Sequence, residues 1–435
     1  MTLQSIHHVR AGFLIDGGGG PIRKNQLIVI ESGRISAIMD DAAAAALPAE
    51  QVTDLSHCVV LPGLIDSHVH LCMSGSIDQT LREKQLEASF EEVIPVIAEH
   101  LRHHFSHGVL ALRDGGDRGA YVLRYLGELR DRSSPPVQVL TPGRAYHRSG
   151  RYGSLIGECP EQGESLLEAY RRRTQPTKLV KIVNSGLNSL TTFGLRTEPQ
   201  FSAQQLGTLV AEAQRDGARV MVHANGEAPV RGAIDAGCDS IEHGFFMGRE
   251  NLELMAEKGV FWVPTVYTMK ACAQYADSYR APINRRVVEQ NLAHQLEQLA
   301  LARELGVKVA LGSDSGSIGV LHGESLVEEM KLFLQAGFTM SETICCATHH
   351  GARLLGLENL GALEAGKPAH FLVTRGTQAH LPRNLTYLES IYLGGQPSQA
   401  YRRDPDYLTL RKFEGVAFSG KFKYKARLSG YLRKQ

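Results

Sequence analysis

The sequence predicts an α/β protein, a (β/α)8 TIM barrel with a small β-sandwich domain built from both chain ends. Three observations lead to this fold class. Eight short apolar runs alternate with longer amphipathic stretches between residues 58 and 361, strand-like segments precede them, and further strand-like segments follow them. Alternating βα units form parallel sheets, and eight units in roughly 300 residues match a closed barrel better than an open sheet.

The N-terminal part of the small domain is predicted over residues 1–57. RAGFLID and QLIVIESGRISAIMD are strand-like, the GGGGP segment between them is a turn, and the SG dipeptide in the second run is typical of a hairpin turn. We therefore expect a small β unit before the barrel begins.

The barrel domain is predicted over residues 58–361. Its strands are expected at CVVLPGLIDSHVH, GVLALRD, VQVLTPG, KLVKIVN, RVMVHA, CDSIEHG, GVFWVPT and KVALGSD. Amphipathic patterns predict helices at SFEEVIPVIAEHLRHH, SAQQLGTLVAEAQRD and NRRVVEQNLAHQLEQLALARELG. No glycine-rich phosphate-binding fingerprint follows the first strand, which disfavours a nucleotide-binding sheet.

The C-terminal part of the small domain is predicted over residues 362–400, where GALEAGKPAHFLVTRG and SIYLGGQ are strand-like. We expect it to pair with the N-terminal β unit. Residues 401–435 form a basic tail in which KFKYKARL alternates apolar and cationic residues. An amphipathic edge strand is favoured there over a role in binding nucleic acid or lipid.

Composition excludes several classes of partner. The 47 lysines and arginines nearly balance the 46 aspartates and glutamates, so the chain has no overall field that attracts nucleic acid or an acidic membrane. It has neither a signal-peptide pattern nor an apolar stretch of membrane-spanning length. The seven cysteines contain no Cys-x-x-Cys pair, so a reducing compartment, the cytoplasm, is expected. A small-molecule substrate is the expected partner, and a homo-oligomer stays open.

Side chains of the metal-binding type stand at the ends of the predicted strands. His68 and His70 end the first strand as His-x-His, and residues two apart on a strand share a face, so both imidazoles can reach one ion. Four more strands end at Lys181, His223, His243 and Asp314. Because barrel strands bring their carboxyl ends to one rim, where active sites of this fold lie, the pattern predicts a catalytic metal site.

Lys181 is an unusual member of this set, because an ammonium group has no lone pair to offer a metal. As a neutral amine it can add carbon dioxide and form a carbamate, whose two oxygens could bridge two ions. The alternative is a buried lysine that pairs with Asp314. Lys178 competes for the same role, but the IVN run after Lys181 places Lys181 deeper at the strand end.

Several motifs resemble one family of enzymes. HVH after PGLID, VKIVNSG, VMVHANG, SIEHG, LGSDSG and ATHHGARLLGLENLGALEAGKPA occur in that order between residues 61 and 369. They resemble the amidohydrolase superfamily, specifically the branch with two metal ions that contains imidazolonepropionase-like proteins and prolidase-like dipeptidases.

The resemblance implies a role for each strand-end residue: one ion bound by His68, His70 and Asp314, a second bound by His223 and His243, and carboxylated Lys181 bridging both. Zinc is the first expectation from imidazole and carboxylate ligands, and manganese or iron would tolerate the same set. Carbon dioxide or bicarbonate is then needed for the carbamate. Asp314 is expected to act as the catalytic base and then as the acid.

The loops depart from those of the proteins that the chain resembles, which leaves the substrate open. RAYHRSGRYGSLIG follows the third strand, where His147, Arg148 and Arg151 form a basic loop suited to a substrate carboxylate. A solvated loop is the alternative interpretation. Tyr267, after the seventh strand, and His322, after the eighth, are predicted to line the pocket as hydrogen-bond partners.

The favoured function is metal-dependent hydrolysis of a C–N amide-type bond in a dipeptide, an N-acyl amino acid or a related carboxylate-bearing substrate. One alternative is a cyclic amidase or deaminase that acts on a small nitrogen heterocycle. Glu227 follows His223 by four positions, whereas the glutamate of such deaminases usually follows by three. The other alternative is a catalytically silent structural barrel, which the presence of all six strand-end residues disfavours.

Overall fold

The structure, a computed structural model, describes residues 6–42, 47–48, 51–129 and 136–401. The basic tail predicted over residues 401–435 lies outside these ranges except for Tyr401.

Sixteen strands are described. In chain order they are β1 (Ile6–Leu14), β2 (Arg23–Glu31), β3 (Arg34–Asp40), β4 (Val52–Pro62), β5 (Leu64–Val69), β6 (Val109–Asp114), β7 (Gln138–Leu140), β8 (Ala145–Tyr146), β9 (Gly157–Glu158), β10 (Leu179–Val183), β11 (Arg219–Ala224), β12 (Ser240–His243), β13 (Phe261–Val263), β14 (Phe371–Arg375), β15 (Ser390–Leu393) and β16 (Gln396–Pro397).

Twelve α-helices are described, mostly between the strands of the predicted barrel. They are α1 (Gln79–Glu87), α2 (Phe90–Ser106), α3 (Tyr121–Leu129), α4 (Leu166–Arg171), α5 (Ala203–Arg215), α6 (Glu227–Asp235), α7 (Arg249–Lys258), α8 (Tyr267–Gln274), α9 (Arg285–Glu304), α10 (Glu324–Gln335), α11 (Met340–Cys346) and α12 (His349–Leu355).

The two chain ends meet in one seven-stranded mixed sheet, in the order β16-β15-β14-β4-β1-β2-β3. Strand β4 lies parallel to β1 and antiparallel to β14, so the pairing of the chain ends agrees with the expectation from the sequence. Its apolar face includes Val9, Ile28, Val60 and Phe371, all buried. The described residues form one sheet here, and the two-layer sandwich that the sequence predicted is not established by them.

Parallel strands form two further sheets. One has the order β5-β6-β7, and the other has the order β13-β12-β11-β10-β8-β9. The eighth strand was predicted at residues 308–314, and residues 308–315 connect the two sheets through backbone hydrogen bonds. The Ala310 N–H donates to the Trp262 carbonyl at 2.9 Å, and the His70 N–H donates to the Ser315 carbonyl at 2.7 Å. This segment forms isolated bridges instead of a continuous strand.

The run predicted as the first barrel strand is two strands in the structure. CVVLP belongs to β4 of the seven-stranded sheet, and LIDSHV is β5 of the parallel sheet. Gly63 lies between them, where a Cβ atom would come within 2.3 Å of the Leu110 side chain. The absent side chain lets the backbone pass close to β6 as it changes sheets.

The three helices predicted from the sequence correspond to α2, α5 and α9. Helix α2 begins at a capping box, in which Ser89 and Glu92 satisfy each other's backbone N–H groups. Helix α5 begins in the same way at Ser202 and Gln205. Among the described residues, no helix is both long and apolar enough to cross a membrane.

Candidate metal centre

Three predicted ligands, His68, His70 and Asp314, lie within 4.8 Å of one another by their donor atoms. Asp314 Oδ1 is 3.6 Å from His68 Nε2 and 3.5 Å from His70 Nε2. The other ring nitrogen of His70 donates to the Gly116 carbonyl at 3.1 Å, which leaves a lone pair on Nε2. Two imidazole nitrogens and one carboxylate oxygen on a single face are a donor set that suits a divalent transition metal.

His68 is held by a buried carboxylate that sequence reasoning missed. Its Nδ1–H donates to Glu242 Oε2 at 2.7 Å, so its Nε2 carries the lone pair and has no hydrogen-bond partner among the described residues. Glu242 is fully buried and accepts two hydrogen bonds from Arg113, at 2.8 and 2.9 Å, and one from Ser240. A carboxylate behind a histidine fixes its ring and tautomer, as in many metal sites. The sequence does contain a signal for this pair, because Arg113 and Glu242 are charged residues in the apolar runs VLALRD and SIEH, where charged side chains are uncommon.

His243 and His223 extend the set on the other side of His68. The ring centres of His68 and His243 are 5.0 Å apart, and those of His243 and His223 are 4.7 Å apart. His243 Nδ1 lies 2.7 Å from the Thr265 hydroxyl. His223 Nε2 donates to the Gly186 carbonyl at 3.2 Å, which leaves the lone pair on Nδ1. The four histidine rings therefore form one continuous group.

Strained backbone accompanies this group. His243, Thr265 and Asp314 have φ angles of 65°, 46° and 56°, in the left-handed region that residues with a side chain rarely adopt. Such strain persists only where the surroundings impose it, and it concentrates at functional sites. The strain occurs at two predicted ligands, His243 and Asp314, and at Thr265, which contacts His243. It supports a functional role for this group of residues.

Lys181 lies in the middle of β10 and is 1% exposed. Its Nζ atom has no hydrogen-bond partner among the described residues. Burial lowers the pKa of the amine to about 8, although the nearby Glu242 carboxylate acts in the opposite direction. A buried amine with an accessible neutral form and an unused nitrogen has the properties that carbamate formation requires.

Burial dominates the electrostatics of the whole group. It lowers the pKa of His70 to about 4 and that of His223 to about 3, and it holds the pKa values of His68 and His243 well below their usual range. Burial also raises the pKa of Asp314 to about 7. At neutral pH the imidazoles are therefore uncharged and able to donate a lone pair to a metal.

Two more buried aspartates fix the loops that carry these residues. Asp66 accepts hydrogen bonds from the backbone N–H and the hydroxyl of Ser313, at 2.9 and 2.6 Å, and so ties β5 to the Asp314 segment. Asp114 accepts from the Leu71 N–H and the Thr141 hydroxyl, at 3.0 and 2.9 Å. Burial raises the pKa of each to about 7.

The two arginines of the predicted basic loop lie at the surface, whereas its histidine is buried. Arg148 and Arg151 are exposed, and Arg151 donates to the Glu198 carbonyl at 2.9 Å. His147 is 5% exposed, and its Nδ1 donates to the Arg148 carbonyl at 3.0 Å. Tyr152, which sequence reasoning did not single out, comes nearer to the centre, since its ring centre is 5.3 Å from that of His223.

His322 and Tyr267 both lie below the protein surface. His322 is 1% exposed, its Nε2 donates to the Met73 carbonyl at 2.8 Å, and its Nδ1 is 3.1 Å from both the Ser315 hydroxyl and His104 Nε2. Tyr267 is 7% exposed, and its backbone N–H donates to the Glu329 carboxyl group at 2.6 Å. The structure therefore gives His322 internal partners for both ring nitrogens.

Glu227, the residue that raised the deaminase alternative, begins α6 at the surface. Its carboxylate forms an ion pair with Arg196 at 3.0 Å, and its side chain is 59% exposed. A proton shuttle needs contact with the reacting atoms. The position of Glu227 thus gives the deaminase alternative no support.

Comparisons with known proteins agree with this geometry. A model of the amidohydrolase family matches residues 59–423. Ochratoxinase of Aspergillus niger is 25% identical over 386 residues, which cover 80% of this chain and 76% of that enzyme. Imidazolonepropionase of Paracoccus denitrificans is 24% identical over 436 residues, which cover 88% of this chain and 96% of that enzyme.

The chain also resembles solved structures. A Xaa-Pro dipeptidase with methionine bound in its active site superposes with a TM-score of 0.77 and 26% identity, over 91% of this chain and all of that one. These similarities indicate a TIM-barrel-type α/β fold and the branch of imidazolonepropionase-like and prolidase-like proteins. The chain therefore belongs to the amidohydrolase family and is a hydrolytic enzyme that acts on carbon–nitrogen bonds.

Proposed function

We propose that the protein hydrolyses a C–N amide bond in a dipeptide, an N-acyl amino acid or a related carboxylate-bearing substrate, with two divalent metal ions held at the candidate centre. The observation that carries this proposal is the convergence of four neutral histidines, Asp314 and Lys181 in one buried group. His68 Nε2 and Lys181 Nζ are buried there without hydrogen-bond partners among the described residues. Buried polar atoms without partners are rare, and a metal ligand is one of their ordinary explanations.

The residues present fit a pair of divalent ions. His68, His70 and Asp314 would hold one ion, His223 and His243 would hold the other, and carboxylated Lys181 would bridge the two. Zinc is the ion that we expect from this donor set. When bound, the ions would lower the pKa of the attacking water and polarise the scissile carbonyl.

Asp314 is the residue that we propose moves the proton. Its carboxylate would accept the proton of the attacking water and then deliver it to the nitrogen of the leaving amine, so that each turnover returns Asp314 to its starting state. Its Oδ2 accepts a hydrogen bond from the Ser317 hydroxyl at 3.1 Å, which limits rotation of the carboxyl group. The left-handed backbone at Asp314 is a second constraint on its direction.

The remaining contacts serve to hold the ligands in place. Arg113 and Glu242 form a fully buried ion pair that fixes His68, and Thr265 fixes His243. Because positional errors of about 1 Å can reduce catalysis by about 100-fold, rigid support behind the ligands is part of the catalytic apparatus.

The substrate class rests on the relatives and on the position of Glu227, whose side chain lies at the surface and pairs with Arg196. One similar structure is that of a dipeptidase with methionine in its active site, and another is a prolidase complexed with n-methylphosphonate-l-proline. Their ligands are an amino acid and a proline derivative. A carboxylate-bearing amide is therefore the substrate class that we assign to this chain.

Two further points belong to the same proposal. The backbone hydrogen bonds of residues 308–315 support closure of the parallel strands into an eight-stranded barrel, with the chain ends forming a separate small domain. The seven cysteines are all free thiols, which supports a reducing compartment such as the cytoplasm.

The test is a substrate screen with protein purified in the presence of zinc and bicarbonate. A panel of dipeptides and N-acyl amino acids is assayed for release of free amino acid, and a panel of small nitrogen heterocycles is assayed for ammonia and for ring opening. Release of amino acid from at least one member of the first panel is the expected result. Ammonia or ring-opened product without amino acid release would contradict the assigned substrate class.

A further inference from the structure

Helix α1 and residues 275–280 form one wall beside the candidate metal centre. The Gln79 side chain donates to the Ser278 carbonyl at 2.9 Å, and Arg280 forms an ion pair with Glu83. Gln79 and Glu83 are one helical turn apart on the same face of α1, so the two contacts attach the helix to this segment at two successive turns. Arg82 lies on the same part of the helix, between the two contacts.

The guanidinium group of Arg82 connects the two loops that carry the ligands of the first ion. Its Nη1 donates to the Ser74 carbonyl at 2.6 Å, in the loop after His70, and to the Gly316 carbonyl at 2.9 Å, two residues after Asp314. These two bonds place the charged end of Arg82 next to the candidate centre and leave Nε and Nη2 without protein partners among the described residues.

Arg82 also lacks a carboxylate partner within the described part of the chain. The other arginine near the centre, Arg113, is fully paired with Glu242. The charge of Arg82 acts on the pKa values of His70 and Tyr279, and Asp314 and Tyr279 act in turn on the pKa of Arg82. A half-buried guanidinium with two unused donor nitrogens is a receptor for an anion, because two parallel N–H groups match the two oxygens of a carboxylate.

Tyr279 supplies a second polar group on this wall. It is half-buried, and its hydroxyl is 2.8 Å from the Cys272 sulfur. A thiol is a weak hydrogen-bond partner, so the hydroxyl can still donate to a stronger acceptor. Arg82 and Tyr279 together offer charge and hydrogen bonds to an anionic group located beside Asp314.

We propose that Arg82, assisted by Tyr279, binds the carboxylate of the substrate. This inference rests on the proposed function and deepens it, because it assigns the anion-recognition site to the wall of α1 instead of the basic loop predicted from the sequence. The exposed Arg148 and Arg151 would then have no dominant part in substrate binding. The leaving amino acid would be oriented with its carboxylate toward α1 and its amide nitrogen toward Asp314.

The test compares a matched pair of compounds, N-acetyl-L-leucine and N-acetyl-L-leucinamide, which share the acetyl amide bond and differ in the carboxylate. Binding to zinc-loaded protein is measured by calorimetry, and kcat/KM is measured for both compounds. In Arg82→Gln we expect the affinity and kcat/KM for the acid to fall by about 100-fold, with values for the amide within a few-fold of wild type.

Two further variants separate recognition from support. Arg82→Lys keeps the positive charge and should recover part of the preference for the acid, even if Arg82→Gln folds poorly. Arg280→Gln removes the ion pair with Glu83 and loosens the same wall, yet it should keep the wild-type preference for the acid over the amide. An equal loss for acid and amide in Arg82→Gln would overturn the inference and reduce Arg82 to a support of two loops.

The inference and the proposed function can fail separately. If wild-type protein binds the acid no more tightly than the amide, the inference is wrong whatever reaction the enzyme catalyses. If it binds the acid through Arg82 but releases no amino acid from any compound of the dipeptide and N-acyl panel, the inference stands and the assigned reaction fails.

Discussion

The two halves of the candidate metal centre differ in how their side chains are supported. In the half formed by His68, His70 and Asp314, the imidazole of His68 is hydrogen-bonded to the Glu242 carboxylate, which is itself paired with Arg113. In the half formed by His223 and His243, the partners are neutral: a backbone carbonyl at 3.2 Å for His223 and the Thr265 hydroxyl at 2.7 Å for His243.

This difference predicts that the two halves bind their metal ions with different affinities. A charged partner makes the attached imidazole more basic and holds it more firmly than a neutral one does. The first half is therefore expected to bind its ion more tightly and to hold Asp314 in a fixed position relative to the substrate. The second half is expected to bind a more weakly held ion, which depends on the Lys181 bridge.

The largest effect is expected for Asp314→Asn, which removes the proton acceptor of the first half. We expect kcat to fall by about 1,000-fold or more, since general acid–base catalysis contributes roughly 100- to 10,000-fold. The measurement is steady-state kinetics on the best substrate from the screen. Ser317→Ala serves as the matched control, because it removes only the hydrogen bond to Asp314 Oδ2 and should cost a few-fold. Comparable losses in the two variants would argue against Asp314 as the base.

A smaller effect is expected when the support behind each half is removed. Glu242→Gln should weaken the tighter metal site by about 10- to 100-fold, a typical result for loss of a carboxylate behind a histidine ligand. Thr265→Val removes the neutral partner of His243 and should weaken the other site by less than about 10-fold, because a neutral hydrogen bond contributes less. Competition with a chelator measures both affinities. A larger loss in Thr265→Val would reverse the assigned order of the halves.

The smallest effect concerns stability, at the segment that follows Thr265. Glu329 accepts the N–H groups of Val266 and Tyr267, at 2.9 and 2.6 Å, and burial raises its pKa to about 8. The folded protein therefore holds a proton that the unfolded chain releases near pH 4. The contribution of Glu329 to the free energy of unfolding is fully present below about pH 4, decreases as the pH rises and is lost above about pH 8.

Glu329→Gln should consequently flatten the pH dependence of stability in metal-free protein. Between pH 6 and pH 8 we expect the free energy of unfolding to fall by about 2 kcal/mol less in the variant than in wild type. Urea unfolding at both pH values measures it. Glu328→Gln, at a half-buried position next in sequence that is paired with Lys331 and Lys270, is the control and should keep the wild-type slope. Identical slopes in wild type and Glu329→Gln would show that Glu329 keeps an ordinary pKa.

The sequence predicted the residues at the strand ends better than the residues that support them. The candidate ligands were predicted because each ends or lies within a short apolar run, and parallel strands bring such ends to one rim. They are His68, His70, Lys181, His223, His243 and Asp314. Glu242 and Arg113 left only a weak signal, since each is a charged residue at the end of a short apolar run and their pairing joins residues 129 positions apart.

Loops and helices were harder to predict, for a physical reason. The position of Arg82 depends on contacts of α1 with residues about 200 and 234 positions away, which local patterns do not encode. Arg148 and Arg151 were predicted to form a binding loop because they cluster in sequence; both are exposed, and their role in substrate binding stays a prediction. The segment 308–314 was predicted as a strand, and the structure has isolated bridges at Val309 and Ser315 instead of a continuous strand.

The most direct test of the central claim is the metal content of protein purified with zinc and bicarbonate, compared with that of Lys181→Ala. Elemental analysis should give about two ions per wild-type chain. The variant should retain one ion or fewer, because the second half has only His223 and His243 once the bridge is lost. One ion or none in both proteins, unchanged by the substitution, would contradict the two-ion centre and the role of Lys181 in it.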